Sequence, residues 1–334
     1  MMRSIIFFTT LFSGLITYGQ QGRNFSMWFQ NHMQYNPAAV GTNDNDMQAF
    51  ANFRYQYFTV TDKPYQTVSG SVEGKLFRSN TRNGYLGLGG SFLNDMSGDG
   101  RYSVTQVSVP IAYHLFFNAD NFISVGLQPG LYQRSLSGGN LTWDHQWNGY
   151  EFNNTVPGEG IGNASSANLD LSAGIFYTYK KDYTRKIYGG VSMQHITQPE
   201  LTFNIEDNLY RRYTAHAGAN YKFELSTFGI SPQVMFMKQG PNQNLVFGSN
   251  FDFYLVEPSL RTDFYRPHIF SFGVYHRLGD AIIANFSYTF SGWTIAASYD
   301  SNINRLMPAS STIGGFEVAV KYDIILNRAG KFIR

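Results

Sequence analysis

The sequence predicts an all-β protein: a transmembrane antiparallel β-barrel of about 14 strands. Three observations predict it. Apolar and small polar residues alternate along most of the chain, which is the two-residue period of a β-strand. The alternating runs are about 10–13 residues long, enough to cross a bilayer as tilted strands and longer than most soluble strands. The face opposite the apolar one is rich in Gly, Ser, Thr, Asn and Gln, as expected of a polar lumen.

The composition excludes several classes of protein. The 334 residues are 17% aromatic but only 14% charged, against roughly 25% charged in an ordinary soluble domain. Lys and Arg (25) nearly balance Asp and Glu (23), which argues against a nucleic-acid partner. The absence of cysteine excludes disulfide scaffolds, thiol nucleophiles and Cys-ligated zinc. Beyond the N-terminus, the sequence contains no apolar run of about 18 residues that would predict a membrane-spanning helix.

Residues 1–19 predict a cleaved secretory signal peptide. Arg3 supplies the positive start, an apolar run follows from Ile5, and Thr17 and Gly19 provide small residues before a cleavage site at Gln20. The alternative, a single membrane anchor, is disfavoured because the apolar stretch is too short to span a bilayer. Together with the barrel pattern, this predicts export to the outer membrane.

Residues 20–46 do not alternate, and we expect a periplasmic or plug segment ahead of the first strand. Within it, 26–33 predicts a short helix with Ser26 as its N-cap. A helix at the mouth of a barrel would plug it or brace a periplasmic partner. The residues nominated for these contacts are Trp28, Phe29, Asn36 and Pro37.

Residues 47–323 predict the barrel. In the last strand, Phe316, Val318 and Val320 share one face, and Glu317 and Ala319 share the other. The strands expected from such runs are 47–60, 64–77, 84–95, 102–117, 121–136, 167–180, 185–196, 210–223, 227–238, 244–256, 267–277, 280–290, 292–300 and 313–323. Counts of 12 or 16 stay open because 256–267 is ambiguous. Most connections after even-numbered strands are short. The connections 137–166, 197–209 and 301–312, which follow odd-numbered strands, are long. This asymmetry predicts that the long connections face outward.

The loop 137–166 is the largest candidate for function, since long loops with many aromatic residues are usually functional. We expect this loop to form a plug in the lumen, a docking surface for another protein or a lid on its own barrel. The residues proposed to bind a partner are Trp143, Asp144, His145, Trp147, Tyr150 and Phe152. After the last strand, residues 324–334, which include Arg328, Lys331 and Arg334, predict a periplasmic tail.

The sequence contains no recognisable catalytic, cofactor or metal motif. A barrel enzyme would have to assemble its site from separate strands, for example His216 with Asp170 or Asp252 on lumen faces. A hydrogen-bond network in a polar lumen is the favoured interpretation of those residues. The sequence therefore predicts a protein that is not an enzyme and carries no cofactor.

An ordered set of short motifs resembles the PorP/SprF family of outer-membrane proteins of the type IX secretion system of Bacteroidota. The motifs include Asn36-Pro37-Ala38-x-x-Gly41, Arg54-Tyr55-Gln56-Tyr57, Gly87-Leu88-Gly89-Gly90, His195-x-x-Gln198-Pro199, Tyr275-His276-Arg277 and Ser298-Tyr299-Asp300. Departures from the family pattern occur at Tyr57, where tryptophan is usual, and at 314–317, where GSHE is usual.

The resemblance implies a non-enzymatic barrel that binds secreted proteins through a C-terminal secretion domain. Such partners are gliding adhesins and similar surface proteins, which the barrel would help to export or anchor; periplasmic ring and motor parts of the machine are further implied partners. Outer-membrane lipid is also an expected partner, and nucleic acid is not. The alternative that the pattern leaves open is a channel or transporter for small or hydrophobic solutes, with an open lumen or an apolar pocket.

Overall fold

A computed structural model describes residues 24–77, 83–98, 100–137, 141, 143–153, 155–157, 163–181, 184–200, 208–256, 267–305 and 307–324. The predicted signal peptide, 1–19, and the predicted tail beyond residue 324 lie outside the described residues. Among the described residues, no helix has the length and apolar character needed to cross a membrane.

Fourteen antiparallel strands form one closed sheet, which confirms the predicted fold class and strand number. The strands are β1 (Met47–Gln56), β2 (Tyr65–Leu76), β3 (Gly84–Ser97), β4 (Tyr102–Ser108 continued by Ile111–Phe116), β5 (Asn121–Ser137), β6 (Asn163–Lys180), β7 (Arg185–Gln194), β8 (Arg212–Lys222), β9 (Phe228–Gln239), β10 (Asn242–Val256), β11 (His268–Arg277), β12 (Ala281–Phe290), β13 (Trp293–Asn302) and β14 (Ile313–Ile324). Strand β4 is interrupted at Pro110, which has no N–H to donate to the ladder.

The first and last strands close the barrel. Phe53 of β1 lies opposite Val318 of β14 on one side and opposite Val68 of β2 on the other. Every strand therefore has two neighbours, so the backbone hydrogen bonds are made within the wall.

The wall has two faces, as the alternation predicts. Phe316, Val318 and Val320 are exposed on the outside, whereas Glu317 and Ala319 are buried inside. Apolar side chains on the other strands follow the same rule, so a band of Phe, Tyr, Val, Leu and Ile surrounds the barrel. This band is the surface that lipid covers.

The two ends of the barrel differ. We call the end where β1 begins and β14 finishes the inner end, and the opposite end the outer end. The inner end has short turns such as 117–120 and 291–292, while the outer end has the long connections 138–162, 195–211 and 303–312. The last of these contains a short helix, α1 (Met307–Ser310). Short turns are typical of the periplasmic side and long loops of the cell surface.

Candidate functional site

The N-terminal residues 24–46, which we call the plug segment, run through the lumen from the outer to the inner end. Near the outer end, the Ser26 hydroxyl lies 2.6 Å from a carboxylate oxygen of Asp300. At the inner end, the Asp46 N–H donates to the Ile324 carbonyl over 3.1 Å. Most side chains between these points are buried, so the segment fills the barrel. Trp28, Phe29, Asn36 and Pro37 all lie inside the lumen.

Three short 3-10 turns form the backbone of the plug segment: Trp28–Gln30, His32–Gln34 and Pro37–Ala39. The predicted helix over 26–33 is wrong, because the Ser26 hydroxyl is engaged by charged wall residues and does not cap a helix. The last turn does have a side-chain cap: Asn36 accepts from the Ala38 N–H at 3.0 Å, and Pro37 begins the turn.

An ion cluster of Arg54, Arg277, Asp300 and Glu317 holds the start of the plug segment. Arg54 lies 2.6 Å from Asp300 and 2.9 Å from Glu317, and Arg277 lies 3.2 Å from Asp300. Glu317 also accepts the Ser26 backbone N–H at 2.7 Å. All four side chains are nearly inaccessible to solvent, and Arg277 also pairs with the more exposed Asp280 at 3.1 Å.

Aromatic rings hold the middle of the plug segment. Phe29 stacks on Tyr275 with ring centroids 4.9 Å apart, and Trp28 meets His216 edge-on at 6.4 Å. His32 stacks against His216 at 5.5 Å. Trp28, Phe29 and Tyr275 belong to a buried hydrophobic cluster that also includes Met235 and Ile283 of the wall.

Glycines of the wall make room for residues 36–40, and we call these glycines, Gly87, Gly126, Gly174 and Gly190, the glycine seat. A Cβ added at Gly126 would lie 2.5 Å from the Ala38 backbone nitrogen, and one at Gly87 would lie 2.3 Å from the Val40 carbonyl oxygen. Such distances are impossible without moving the backbone. The wall therefore fits this part of the plug segment closely.

Gly126→Ala is expected to destabilise the barrel by about 1–3 kcal/mol, because the new methyl group overpacks against the backbone of Pro37 and Ala38. Gly90→Ala is the matched control: its Cβ would meet nothing within 4 Å. We expect the control to change stability by less than about 0.5 kcal/mol. The measurement is urea-induced unfolding of the refolded barrel, and equal effects of the two substitutions would contradict the glycine seat.

Lysines surround the plug segment where it leaves the lumen at the inner end. Lys180 pairs with Asp44 at 2.6 Å, Lys186 donates to the Thr42 carbonyl at 3.5 Å, and Lys75 donates to the Asn43 carbonyl. Desolvation opposes ionisation of Asp44, but attraction to Lys186 and Lys180 outweighs it and holds the pKa of this carboxyl well below its usual range. The segment thus makes polar contacts with the wall at both ends of the barrel.

A polar cavity of about 40 Å³ lies beside the plug segment at Asn31 and Gln34. Its wall side is lined by hydroxyl, amide and charged groups, among them Ser69, Ser108 and Gln194. A cavity of this size and polarity suits a few water molecules.

The strand residues considered for catalysis are arranged differently from the pairs named from sequence. Asp170 pairs with His195 at 2.7 Å, and Asp252 accepts from Ser231 and Ser271 at 2.6 Å each. His216 instead faces Asn36 of the plug segment at 3.4 Å. Within the described ranges, no group of three or more His, Asp or Glu side chains could hold a metal ion.

The outer loop carries the residues proposed to bind a partner. Asp144, His145, Trp147, Tyr150 and Phe152 are exposed, with Tyr150 at 93%. The Trp147 and Phe152 rings lie 5.0 Å apart and their backbones pair, so a small hairpin presents Tyr150 at its tip. The side chain of Trp143 is half-buried at the base. We call the exposed rings at 147, 150 and 152 the aromatic tip.

The aromatic tip is ordered by its own hydrogen bonds. The Asn148 side chain accepts from the N–H groups of Tyr150 and Glu151 at 2.9 Å each, which is an Asx turn. The buried Gln146 side chain accepts from the Trp143 N–H at 2.8 Å and donates to the Val156 carbonyl at 2.8 Å. These bonds order the backbone beneath the aromatic tip, and its three rings are exposed to solvent, which is unusual for large apolar side chains outside a lipid face.

Comparison with known proteins gives one family. The model of the family described as "Type IX secretion system membrane protein PorP/SprF" matches residues 17–322. No curated protein matches the chain. Among solved structures, the toluene transporter TbuX of Ralstonia pickettii has 10% sequence identity and a TM-score of 0.50, with 88% of this chain and 93% of that chain covered. The monoaromatic hydrocarbon channel TodX, as a deltaS2S3 mutant, has 9% identity and a TM-score of 0.50, with 88% and 94% covered. At these identities the likeness concerns the fold.

Proposed function

Because the chain belongs to the PorP/SprF family of type IX secretion system membrane proteins, we propose that it is a non-enzymatic outer-membrane barrel that binds a secreted partner protein. The partner would be a surface protein or adhesin with a type IX C-terminal domain, which the barrel anchors at the cell surface or helps to export. Periplasmic ring or motor components are proposed as further partners at the inner end. The family match over 17–322 is the observation that carries this proposal.

The outer end supports a binding role. The aromatic tip combines large rings with an ordered backbone, and such rigid aromatic side chains supply much of the energy of protein interfaces. Asp144, His145 and Glu151 add exposed polar groups around it. This is the arrangement of an apolar anchor with a polar rim.

The lumen supports binding over solute transport. The plug segment fills it, and the cavity beside the segment is polar and about 40 Å³. A cavity of roughly 150 Å³ is needed to hold benzene, so this one suits water and not an aromatic hydrocarbon.

The aromatic tip gives a direct test. We expect the combined variant Trp147→Ser, Tyr150→Ser and Phe152→Ser to lose the partner by about tenfold or more, since each ring is a candidate hot spot. The measurement is a gentle detergent pull-down of the tagged barrel from crosslinked cells, with mass spectrometry of the secreted proteins that carry a type IX C-terminal domain.

The matched control is Phe117→Ser, which removes an exposed aromatic ring at the inner end. It should leave recovery of the secreted partner unchanged. Heat-dependent migration on a gel reports whether each variant is a folded barrel. Undiminished recovery by the folded triple variant would contradict the assignment of the aromatic tip, and recovery of no such secreted protein by the unmodified barrel would contradict the proposed function.

A further inference from the structure

The plug segment has two parts that the wall holds in different ways. Residues 36–44, the inner part, lie in the glycine seat and between the inner-end lysines. Residues 24–35, the outer part, lie against the ion cluster, the aromatic rings and the polar cavity. The boundary falls at Asn36, whose amide donates to the Ile175 carbonyl at 3.0 Å.

Four hydrogen bonds join the wall to the main chain of the outer part. Glu317 accepts the N–H groups of Ser26 at 2.7 Å and Met27 at 3.2 Å. At the other end of the outer part, Ser192 donates to the Tyr35 carbonyl at 2.6 Å and Gln194 donates to the Gln34 carbonyl at 2.9 Å. Hydrogen bonds to the main chain do not depend on the side chains of the bound segment, so the same wall groups suit other peptides that adopt the same turns.

Side-chain contacts between the wall and the outer part centre on Ser26, on the rings of Trp28 and Phe29, and on Asn31, whose amide donates to the Ser71 hydroxyl at 2.9 Å. The Ser26 hydroxyl donates to Asp300 at 2.6 Å and accepts from Arg277 at 3.0 Å. Two and three residues later, Trp28 and Phe29 fill aromatic surroundings formed by His216 and Tyr275. A segment with a small hydroxyl residue followed at these spacings by two aromatic residues would satisfy the same groups.

The outer part leaves buried polar atoms unpaired and a cavity unfilled. Among the described residues, the buried Trp28 Nε1 and His32 Nδ1 atoms have no hydrogen-bond partner, and the same is true of His216 Nδ1 and Ser69 Oγ in the wall. The polar cavity also lies beside the outer part, at Asn31 and Gln34. Buried polar atoms without partners cost free energy. A segment that paired these atoms would therefore bind the wall more tightly than the outer part does.

We propose that the outer half of the lumen is a binding site for a polypeptide segment that enters from the outer end, and that residues 24–35 occupy it as a displaceable placeholder. The inner part stays in the glycine seat and keeps the barrel closed. This inference rests on the proposed function in naming the occupant as a segment of the bound partner protein. The recognised segment has the form hydroxyl residue, any residue, aromatic, aromatic.

The first test measures displacement in the full chain, which has no cysteine of its own. Single substitutions Met27→Cys in the outer part and Ala39→Cys in the inner part replace residues that are equally buried, at 1% and 2% exposure. A bulky maleimide is added to the refolded protein in detergent. We expect Met27→Cys to react about tenfold faster than Ala39→Cys, because only the outer part leaves its site. Equal rates would overturn the proposal.

The second test measures peptide binding at the vacated site. The full chain with Trp28→Ala and Phe29→Ala has a weakened placeholder and an intact wall, and the probe is a fluorescent peptide of residues 24–35. We expect saturable binding, at least about tenfold tighter than for a scrambled peptide of the same composition. A chain that also carries Asn31→Cys and Ser71→Cys, whose native side chains lie 2.9 Å apart, should lose binding when the two thiols are joined by a short crosslinker.

Failure of the peptide to bind the folded, unlocked chain, or equal binding to the crosslinked chain, would overturn the proposal. If the double alanine variant does not fold, the thiol reaction rates decide alone. Both measurements use purified protein without a secreted partner. Their failure is therefore distinguishable from failure of the partner pull-down, which tests the proposed function.

Discussion

Arg54→Met is expected to destabilise the barrel by about 3–5 kcal/mol, the usual cost of removing one partner from a buried ion cluster. The Arg54 side chain is 3% exposed and bonds both Asp300 and Glu317. Methionine fills much of the volume but leaves the carboxylates of Asp300 and Glu317 with Arg277 alone, which contacts Asp300 at 3.2 Å and also pairs with Asp280 at 3.1 Å. An uncompensated negative charge then remains in the lumen. The measurement is the free energy of unfolding from urea titration of the barrel refolded in lipid vesicles.

An exposed ion pair provides the matched control. Arg185 pairs with Glu224 at the inner end, where both side chains are substantially exposed. Arg185→Met is expected to cost no more than about 1 kcal/mol, because water screens the pair and solvates the remaining carboxylate. Adding Glu317→Gln to Arg54→Met should restore part of the loss, since it removes the unpaired charge. Comparable losses for Arg54→Met and Arg185→Met would contradict the role assigned to the ion cluster.

The sequence predicts the wall well because the alternation of residues along each strand decides which side chains face outward and which face the lumen. Phe316, Val318 and Val320 alternate with Glu317 and Ala319, and the structure places the first set outside and the second inside. Strand number follows from counting such runs, which are separated by turn residues. The interruption of β4 at Pro110 does not alter the count, because both pieces pair with the same neighbours.

The lumen is less predictable because it depends on residues far apart in the chain. Arg54 and Glu317 lie directly opposite each other only after β1 and β14 close the barrel. The sequence shows a charged residue on the inward face of each of these strands. It does not show that the two charges lie opposite each other. Ser26 shows the limit of local rules: it has the residue type and position of an N-cap, yet buried carboxylates bind its hydroxyl instead.

Deleting residues 24–44 from the barrel is expected to raise its conductance in planar bilayers by about tenfold or more. The plug segment fills the lumen with buried side chains from Phe25 to Thr42, so its removal opens the barrel from end to end. Small barrels of about 8 strands are filled by their own wall side chains, whereas barrels of about 16–18 strands leave an aqueous channel. A barrel of fourteen strands is closer in size to the barrels that leave an aqueous channel. The measurement is single-channel recording of the deleted and complete chains, each shown to be folded by heat-dependent migration.

The double variant Trp28→Ala and Phe29→Ala separates the two parts of the plug segment in the same recordings. It loosens the outer part but leaves residues 36–44 in the glycine seat, where Gly126 and Gly174 approach the backbone of Ala38 and the side chain of Asn36. We therefore expect the double variant to stay closed while the deleted chain conducts. A folded deleted chain that does not conduct would show that the wall side chains fill the lumen by themselves. A conducting double variant would show that the outer part closes the barrel, and the glycine seat would then position the plug segment without sealing the lumen.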